Sequence, residues 1–322
     1  MWRANVHSGM SSDWTPSEMG SQAGNTVVVT GANSGIGFEA TAAFAAAGAH
    51  VVMACRSTDR GRNAKREIEQ EYPGASLTVH ELDLGDLDSV ERFADWYRAE
   101  YDALDVLANN AGVMAIPRSE TADGFETQFG VNHLGHAALT AYLLPVLRRT
   151  NGESRVVTQS SGVHERGRID FDDLQSEHDY DKWDAYAQSK LANVLFAYEL
   201  DRRLRAAGAS VTSVACHPGY AATNLQLRGP EAEGSRLRVL AMKAANVLVA
   251  QSAEQGAWPL LYAATEPDID GGEYVGPTGL FDMRGHPGTQ QSSDRSYSED
   301  TARRLWTVSE ELTGVSFDLP EP

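Results

Sequence analysis

The sequence predicts an α/β fold in which a doubly wound parallel sheet is covered by helices on both faces. Short runs of Val, Leu and Ala alternate with longer stretches of helical periodicity, and the runs are apolar throughout rather than at every second residue. Continuously apolar strands are typical of parallel sheets that are buried on both faces. The six predicted strands span residues 26–30, 50–54, 77–80, 106–108, 155–158 and 211–215.

Helices are predicted between these strands and after the last one, which is the alternation typical of a βα repeat. They span residues 35–47, 60–71, 87–101, 132–148, 183–206 and 298–312. The segment 271–287 is rich in Gly and Pro and is predicted to be an irregular loop. No linker divides the chain, so we expect one domain over residues 23–315. A flexible tail is expected at 1–22, where Met10 is an alternative start, and a short tail at 316–322.

Charge and cysteine content narrow the partners and the compartment. The 322 residues include 27 basic and 45 acidic ones, a formal net charge of −18. A surface this acidic repels nucleic acid and anionic lipid, so neither is expected as a partner. Two cysteines are too few for a disulfide scaffold or a Cys-rich zinc site and fit a reducing cytoplasm. No segment reads as a membrane span or a signal peptide, so a cytoplasmic location is expected.

Lysine is scarce among the basic residues, because only four of the 27 are lysine and the rest are arginine. An acidic surface poor in lysine suggests a halophilic protein that stays soluble in concentrated salt. An ordinary acidic cytoplasmic protein is the alternative. If the first interpretation holds, the folded state loses stability in low salt, because charge repulsion is then screened less.

A glycine-rich turn follows the first predicted strand and precedes the first predicted helix. Its residues are Gly31, Ala32, Asn33, Ser34, Gly35, Ile36 and Gly37. Gly31 permits a tight turn, Gly35 lets the backbone approach a pyrophosphate, and Gly37 lets the helix pack closely on the sheet. The N–H groups at the helix N-terminus then face the phosphates. A dinucleotide site is therefore predicted, and a glycine turn without a ligand is the alternative.

Four motifs in this order resemble those of the short-chain dehydrogenases/reductases, a family with a single-domain Rossmann-type fold. They are the glycine turn, Asn109-Asn110-Ala111-Gly112, Tyr186-Ala-Gln-Ser-Lys190 and Pro218-Gly219. The stretches at 131–136, 186–196 and 304–312 are similar to the retinol-dehydrogenase-like branch of that family. The resemblance covers roughly residues 23–315 and implies an oxidoreductase with a nicotinamide cofactor.

The resemblance also implies further contacts with the cofactor. Asp83, at the end of the third strand, is expected to contact adenine, and Asn109 and Gly112 are expected to line the ribose side. The residues expected at the nicotinamide end are Pro218, Gly219 and Thr223, which follow the sixth strand.

The end of the second strand predicts which dinucleotide binds. An NAD site usually has a carboxylate there that holds the ribose 2′-hydroxyl. Here Cys55 takes that place, Arg56 follows it, and no acid occurs before Asp59. An arginine can pair with a 2′-phosphate and stack on adenine, so NADP(H) is preferred, with NAD(H) as the alternative. The other interpretation of Arg56 is a solvent-facing residue at a strand end.

Tyr186 and Lys190 are four residues apart in a helical stretch, which puts both side chains on one face. A phenol with its ordinary pKa near 10 is a poor acid–base catalyst, and a nearby ammonium lowers that pKa. The pair is therefore a candidate acid–base site, with Lys190 also able to hold the nicotinamide ribose. An exposed Tyr–Lys pair without a catalytic role is the alternative.

Ser160 and Ser161 end the fifth strand, and strand alternation lets only one of them reach the site. The resemblance selects Ser161 as the hydroxyl that polarises the carbonyl, and Ser160 or a plain turn residue is the alternative. The resemblance further implies that Asn132 supports a water chain carrying protons to Lys190. A helix cap or kink residue is the other interpretation of Asn132.

The expected reaction is reversible reduction of a carbonyl compound to an alcohol, with Tyr186 as proton donor and Ser161 stabilising the oxygen. An NADP(H)-binding redox sensor without turnover, or a related dehydratase or epimerase, is the alternative. The resemblance places the substrate pocket around 162–184 and 221–250, and apolar residues in 221–250 suggest a mostly apolar small molecule as substrate. A helix that covers the sheet is the alternative interpretation of these residues. Histidines 133, 136, 164 and 217 lack metal-ligand spacing, so packing or capping roles are expected. The resemblance also implies a homodimer, because many relatives pair through two long helices, here 132–148 and 183–206.

Overall fold

A sheet of eight strands organises the structure, a computed structural model that describes residues 13–220, 252–279 and 282–322. The strands are β1 (Thr26–Thr30), β2 (His50–Cys55), β3 (Ser76–Glu81), β4 (Val106–Asn109), β5 (Ser154–Gln159), β6 (Val211–Cys216), β7 (Tyr274–Pro277) and β8 (Pro287–Gln290). Their order is β3-β2-β1-β4-β5-β6-β7-β8, and only the β7–β8 pair is antiparallel. The predicted α/β fold is confirmed.

Helices cover both faces of this sheet. They are α1 (Gly35–Ala46), α2 (Thr58–Glu71), α3 (Leu87–Glu100), α4 (Thr127–Phe129), α5 (Gly135–Leu147), α6 (Lys182–Ala206), α7 (Ala253–Thr265) and α8 (Glu299–Thr313). Helices α1, α2 and α7 share an apolar layer with Val27 and Val29 of β1, whereas α3, α5 and α6 share the opposite layer with Val28. The alternation follows because successive strand residues point to opposite faces.

The strand order reverses between β1 and β4, because the chain runs outward from β1 to β3 and then in the other direction from β4 to β6. Parallel strands end at the same edge, so the loops that follow β1, β2, β4, β5 and β6 meet there. A crevice outside the carboxyl ends of the strands at such a reversal is where open α/β sheets bind ligands. The fold therefore brings the motif-bearing loops to one site.

The predicted helix 132–148 has a different beginning in the structure. A π-helical segment, Gly130–Leu134, connects α4 to α5, so helical backbone starts at Thr127. A π-helical turn is rare and is often found at functional sites. Here it carries Asn132 at its centre.

The segment 271–287 is not the irregular loop that was predicted, because it contains β7 and the first residue of β8. The sequence does not predict β7 because the strand contains Gly276 and Pro277, and both residue types disfavour strands. Packing requires that glycine, because a Cβ on Gly276 would lie 1.9 Å from the Nε2 atom of His217. Helix α7 was also not predicted, and it contains Gly256 and Pro259. Long-range packing therefore decides these elements.

Core contacts extend past both predicted domain boundaries. Trp14 is buried, and its ring meets that of Tyr262 edge-on at a centroid distance of 5.4 Å. At the other end, the ring of Phe317 lies 4.2 Å from that of Trp306. Across the described ranges, no helix is long and apolar enough to cross a bilayer.

Helix α8 covers part of the helix pair that was expected to form a dimer. It packs along α6, where Trp306 stacks on Phe196 at 5.6 Å and the Arg203 guanidinium lies 4.6 Å from the centre of the Trp306 ring. Part of the α5–α6 surface is therefore occupied within the chain, and the homodimer stays a prediction.

Candidate active site

The turn between β1 and α1 has the shape that its glycines predict. Gly31 and Gly35 have positive φ angles of 68° and 55°, which other residues rarely adopt. A Cβ on Gly37 would lie 2.4 Å from the Gly31 carbonyl oxygen and 2.6 Å from Nδ2 of Asn110. Asn110 donates to the Thr30 carbonyl at 2.8 Å, which joins the second motif to the first.

The N-terminus of α1 has N–H groups that no side chain caps. Ser34 is the N-cap residue but makes no capping hydrogen bond, whereas a serine or aspartate side chain caps α2, α3, α6, α7 and α8. Uncapped N–H groups next to glycines without Cβ atoms fit the oxygens of a pyrophosphate. The candidate contact residues are Gly31, Asn33, Ser34, Gly35, Ile36 and Gly37. The turn therefore fits a dinucleotide.

The end of β2 has no carboxylate to offer a ribose. Cys55 is buried under the glycine turn, and burial raises the pKa of its thiol to about 12, against a smaller lowering effect of the backbone of Ala32 and Asn33. Arg56 is exposed and forms no ion pair within the described part of the chain. The carboxylate of Asp59 is bound to Arg62 at 2.6 Å. Within the described residues, a guanidinium without an ion pair, that of Arg56, thus directly follows Cys55 at this edge.

Asp83 follows β3, and Asn109 is the last residue of β4, at the same edge of the sheet. The Asp83 carboxylate accepts the N–H of Gly85 at 3.0 Å, which shapes the loop after β3. Asn109 is fully buried, and its side-chain amide donates to the Thr140 hydroxyl on α5 at 2.9 Å. The side chain of Asn109 therefore lies beneath the site, and its backbone is the part that can face a ribose.

Tyr186 and Lys190 share one face of α6, as their spacing predicts. The Lys190 Nζ atom lies 5.9 Å from the centre of the Tyr186 ring and donates to the Gln159 carbonyl at 3.1 Å. Both side chains are buried at 4% and 3% exposure. The pair thus lies within the protein, at the carboxyl end of β5, and is not the exposed pair of the alternative interpretation.

Burial dominates the protonation of both groups. It raises the pKa of Tyr186 to about 12, against the lowering effect of a hydrogen bond from Ser161, and it lowers the pKa of Lys190 to about 8. The expectation that the ammonium lowers the phenol pKa is therefore not met within the protein chain. Burial is the largest influence on the phenol pKa, and the side chain that lowers that pKa is Ser161, not Lys190. At neutral pH the tyrosine is a protonated phenol, which is a proton donor.

The two serines after β5 have different surroundings. Ser160 is buried, and its hydroxyl donates to the Lys190 carbonyl at 2.7 Å. Ser161 caps the 3-10 turn Gly162–Arg166, where its hydroxyl oxygen accepts the Val163 N–H at 3.3 Å. The Ser161 side chain also lies close enough to the Tyr186 phenol to lower its pKa. Of the two candidates, Ser161 is the one that shares a site with the phenol.

Asn132 makes three hydrogen bonds that hold the backbone of Val113 next to Lys190 and α6. Its Oδ1 accepts the Val113 N–H at 2.8 Å, and its Nδ2 donates to the Val113 carbonyl and to the Ser189 hydroxyl, both at 2.9 Å. A Cβ on Gly112 would lie 3.0 Å from that Oδ1 and 3.5 Å from Nζ of Lys190. The glycine thus lets the backbone pass between the two groups. A proton-relay role for Asn132 stays a prediction.

The loop after β6 starts with Pro218 and Gly219. Gly219 has a φ angle of 63°, and its N–H donates to Nδ1 of His217 at 3.3 Å. A Cβ there would lie 2.4 Å from the carbonyl oxygen of Met283, so the turn is tightly enclosed. Thr223 and the apolar segment 221–250 lie outside the described residues.

No sequence motif predicted how Gln159 and His164 contribute. The Gln159 carbonyl accepts from Nζ of Lys190 and, at 3.0 Å, from Nδ2 of Asn193. His164 binds the Ser161 backbone through Nδ1 at 2.8 Å. These bonds depend on the fold and leave no local pattern. The described residues include no group of three or more side chains that could hold a metal ion.

Fold and site together define a dinucleotide-binding oxidoreductase, and comparison with known proteins gives the family. The short chain dehydrogenase family model matches residues 25–233. Human retinol dehydrogenase 12 is 41% identical over 297 residues, which are 92% of this chain and 88% of the relative. Mouse polyprenol dehydrogenase is 40% identical over 306 residues, or 94% and 88%.

Among solved structures, an uncharacterized protein from Mycobacterium paratuberculosis is 43% identical, with a TM-score of 0.78. The match covers 95% of this chain and 99% of that one. The chain belongs to the short-chain dehydrogenase/reductase family and, within it, resembles the retinol-dehydrogenase-like branch. It is a dehydrogenase of the kind that acts on alcohols.

Proposed function

We propose that this protein is an NADP(H)-dependent oxidoreductase that interconverts a carbonyl compound and an alcohol of a mostly apolar small molecule. The observation that carries the proposal is the meeting of three side chains at the carboxyl end of β5: the Ser161 side chain lies close enough to the Tyr186 phenol to lower its pKa, and Nζ of Lys190 lies 5.9 Å from the centre of the Tyr186 ring. Two hydroxyl groups that meet at one point can both donate to a single carbonyl oxygen. The glycine turn that fits a dinucleotide is formed at the same sheet edge.

Each residue has a defined part in the reduction. A nicotinamide held beside Tyr186 and Lys190 would supply the hydride that the carbonyl carbon needs. Tyr186 gives its phenol proton to the carbonyl oxygen as negative charge develops there, and Ser161 donates a hydrogen bond to the same oxygen. Lys190 carries positive charge near the phenolate that results and returns a proton to it, with Asn132 as the proposed support of the proton path. Alcohol oxidation runs the same steps backwards.

The proposed cofactor preference rests on the end of β2. Cys55 is buried and neutral there, and the exposed Arg56 is the adjacent group that can pair with a 2′-phosphate. The adenine and ribose contacts are assigned to Asp83, Asn109 and Gly112. The nicotinamide contacts are assigned to Tyr186, Lys190, Pro218, Gly219 and Thr223.

Two observations support an apolar substrate. Trp183 and Met283 are two of the three large apolar side chains that are exposed in the described chain, at 37% and 40%. The Trp183 ring lies 6.3 Å from the Tyr186 ring, and the Met283 backbone encloses Gly219, so both flank the site. The relatives are named for retinol and polyprenol, which are isoprenoid alcohols.

The net charge of −18 supports the absence of nucleic-acid or anionic-membrane partners.

A substrate screen tests the proposal. Consumption of NADPH and of NADH is followed with retinal, a short polyprenal, a cyclic ketone and a small polar ketone, and the alcohol formed is quantified. We expect alcohol in amounts equal to the NADPH consumed, with the apolar aldehydes giving the higher kcat/KM. Binding of NADPH with no turnover of any carbonyl or alcohol would contradict the proposal and favour the redox sensor. Product without net loss of NADPH would favour a dehydratase or epimerase.

A further inference from the structure

A buried imidazole links the turn that carries Ser161 to the C-terminal part of the chain. His164 is almost completely buried, and its Nδ1 lies 2.8 Å from the Ser161 carbonyl oxygen. Its Nε2 lies 3.0 Å from the backbone nitrogen of Ser293, in the segment that follows β8. The backbone N–H of His164 also donates to the Ser161 carbonyl, at 2.9 Å.

The two partners fix the proton on the ring. A carbonyl oxygen can only accept, so Nδ1 of His164 carries the hydrogen and donates it to Ser161. A backbone N–H can only donate, so Nε2 is bare and accepts from Ser293. The imidazole is therefore neutral, and burial lowers the pKa of His164 in agreement with this. One carbonyl thus receives two N–H groups from one residue, which restrains the backbone of Ser161 on the side opposite its hydroxyl.

The contacts continue from His164 to the backbone of the lysine. The Tyr274 hydroxyl lies 3.2 Å from Nδ1 of His164 and close to Ser160. Ser160 in turn donates to the Lys190 carbonyl at 2.7 Å. Tyr274 belongs to β7 and is buried, so the chain of contacts does not pass through solvent.

We propose that His164 is a positioning residue for the reaction, which holds the backbone of Ser161 so that the serine hydroxyl meets the Tyr186 phenol and the substrate oxygen at one point. His164 touches no reacting atom and acts through Ser161. The inference rests on the proposed function. In this proposal the segment after β8 helps to position Ser161, because Ser293 contacts His164 from 129 residues further along the chain.

Four substitutions separate positioning from general stability. His164→Ala removes both side-chain bonds. His164→Asn retains an N–H donor close to the ring Nδ1 and can restore the bond to Ser161, whereas His164→Gln reaches further and can restore the bond to Ser293. Tyr198→Phe is the matched control, because it removes a 2.7 Å bond to Ser292 in the same segment and touches neither serine of the site.

We expect His164→Ala to lower kcat roughly 100-fold, the size of effect that a displacement of about 1 Å can have. KM and the NADPH dissociation constant should change less than about twofold. His164→Asn should regain most of kcat and His164→Gln should not. Tyr198→Phe should lower the melting temperature and leave kcat unchanged. If His164→Ala does not fold, the Asn and Gln variants decide the question.

A double-mutant cycle gives the readout that a purely structural role would not change. In a Ser161→Ala background, His164→Ala should lower kcat by less than about twofold, because the hydroxyl that it positions is gone. Additive losses, or rescue by Gln instead of Asn, would overturn the proposal. A wild-type chain without turnover would overturn it together with the proposed function, whereas an active wild type with an additive cycle overturns the positioning role alone.

Discussion

Replacing Lys190 by methionine should stabilise the folded protein while it removes activity. The ammonium is buried at 3% exposure, and its hydrogen bond in the described structure is the 3.1 Å bond to the Gln159 carbonyl. That carbonyl keeps the 3.0 Å bond from Asn193 after the substitution, so no buried acceptor loses all its partners. Methionine has a similar length and no charge to desolvate.

The size of the effect follows from the pKa of the lysine. Burial lowers the pKa of Lys190 from its ordinary 10.5 to about 8. At about 1.4 kcal/mol for each pKa unit, keeping the charge in the folded state at pH 7 costs about 3 kcal/mol. Between pH 8 and 10.5 the unfolded chain binds this proton and the folded protein does not, so stability rises with pH in that window. At pH 9.5 the remaining cost is about 1 kcal/mol.

Urea unfolding at pH 7 and pH 9.5 measures this difference. The free energy of unfolding of Lys190→Met, minus that of the wild type, should be about 2 kcal/mol smaller at pH 9.5 than at pH 7. Other titrating groups cancel in this comparison, and any packing difference between methionine and lysine adds a constant. Lys65→Met, at a partly exposed lysine of α2, is the control for a lysine that is not buried. An equal difference at both pH values for Lys190→Met would refute the reasoning.

Two further predictions concern the cofactor and its turn. Arg56→Asp should lower the ratio of kcat/KM for NADPH to that for NADH by about 10- to 100-fold, because a charge-assisted bond to the 2′-phosphate is lost. Arg66→Asp makes the same charge change on α2 and should leave this ratio unchanged. Gly37→Ala should raise the NADPH dissociation constant at least tenfold and lower the melting temperature, because the added Cβ would lie 2.4 Å from the Gly31 carbonyl oxygen. Gly74→Ala is the control and should have neither effect, because no atom lies within 4 Å of a Cβ added there.

The parts of the structure that depend on local pattern could be predicted from the sequence. The central strands are continuous apolar runs, and the glycine turn and the Tyr186–Lys190 spacing specify geometry within a few residues of chain. Long-range contacts could not be predicted in this way. The strand around Gly276 exists because it packs against β6 and β8, and its local composition is that of a loop. The bond from Ser293 to His164 has no local signal, because it forms only after the sheet is complete.

The protonation of the site is the other feature that sequence reasoning missed. Spacing along a helix shows that an ammonium is near a phenol, but it does not show how deeply both are buried. Desolvation raises the pKa of Tyr186 to about 12, against the smaller lowering effect of Ser161, and leaves the phenol protonated. This protonation state favours carbonyl reduction at neutral pH, and alcohol oxidation should gain from alkaline pH because it needs the phenolate.

The central claim is that Tyr186 transfers the proton, and the Tyr186→Phe variant tests it most directly. The measurement is kcat for reduction of the best aldehyde, together with the NADPH dissociation constant from fluorescence titration. Loss of the phenol hydroxyl should lower kcat by about 10²- to 10⁴-fold, the usual range for a general acid, while the dissociation constant changes less than about threefold. A Tyr186→Phe protein that reduces the aldehyde at the wild-type rate would contradict the account.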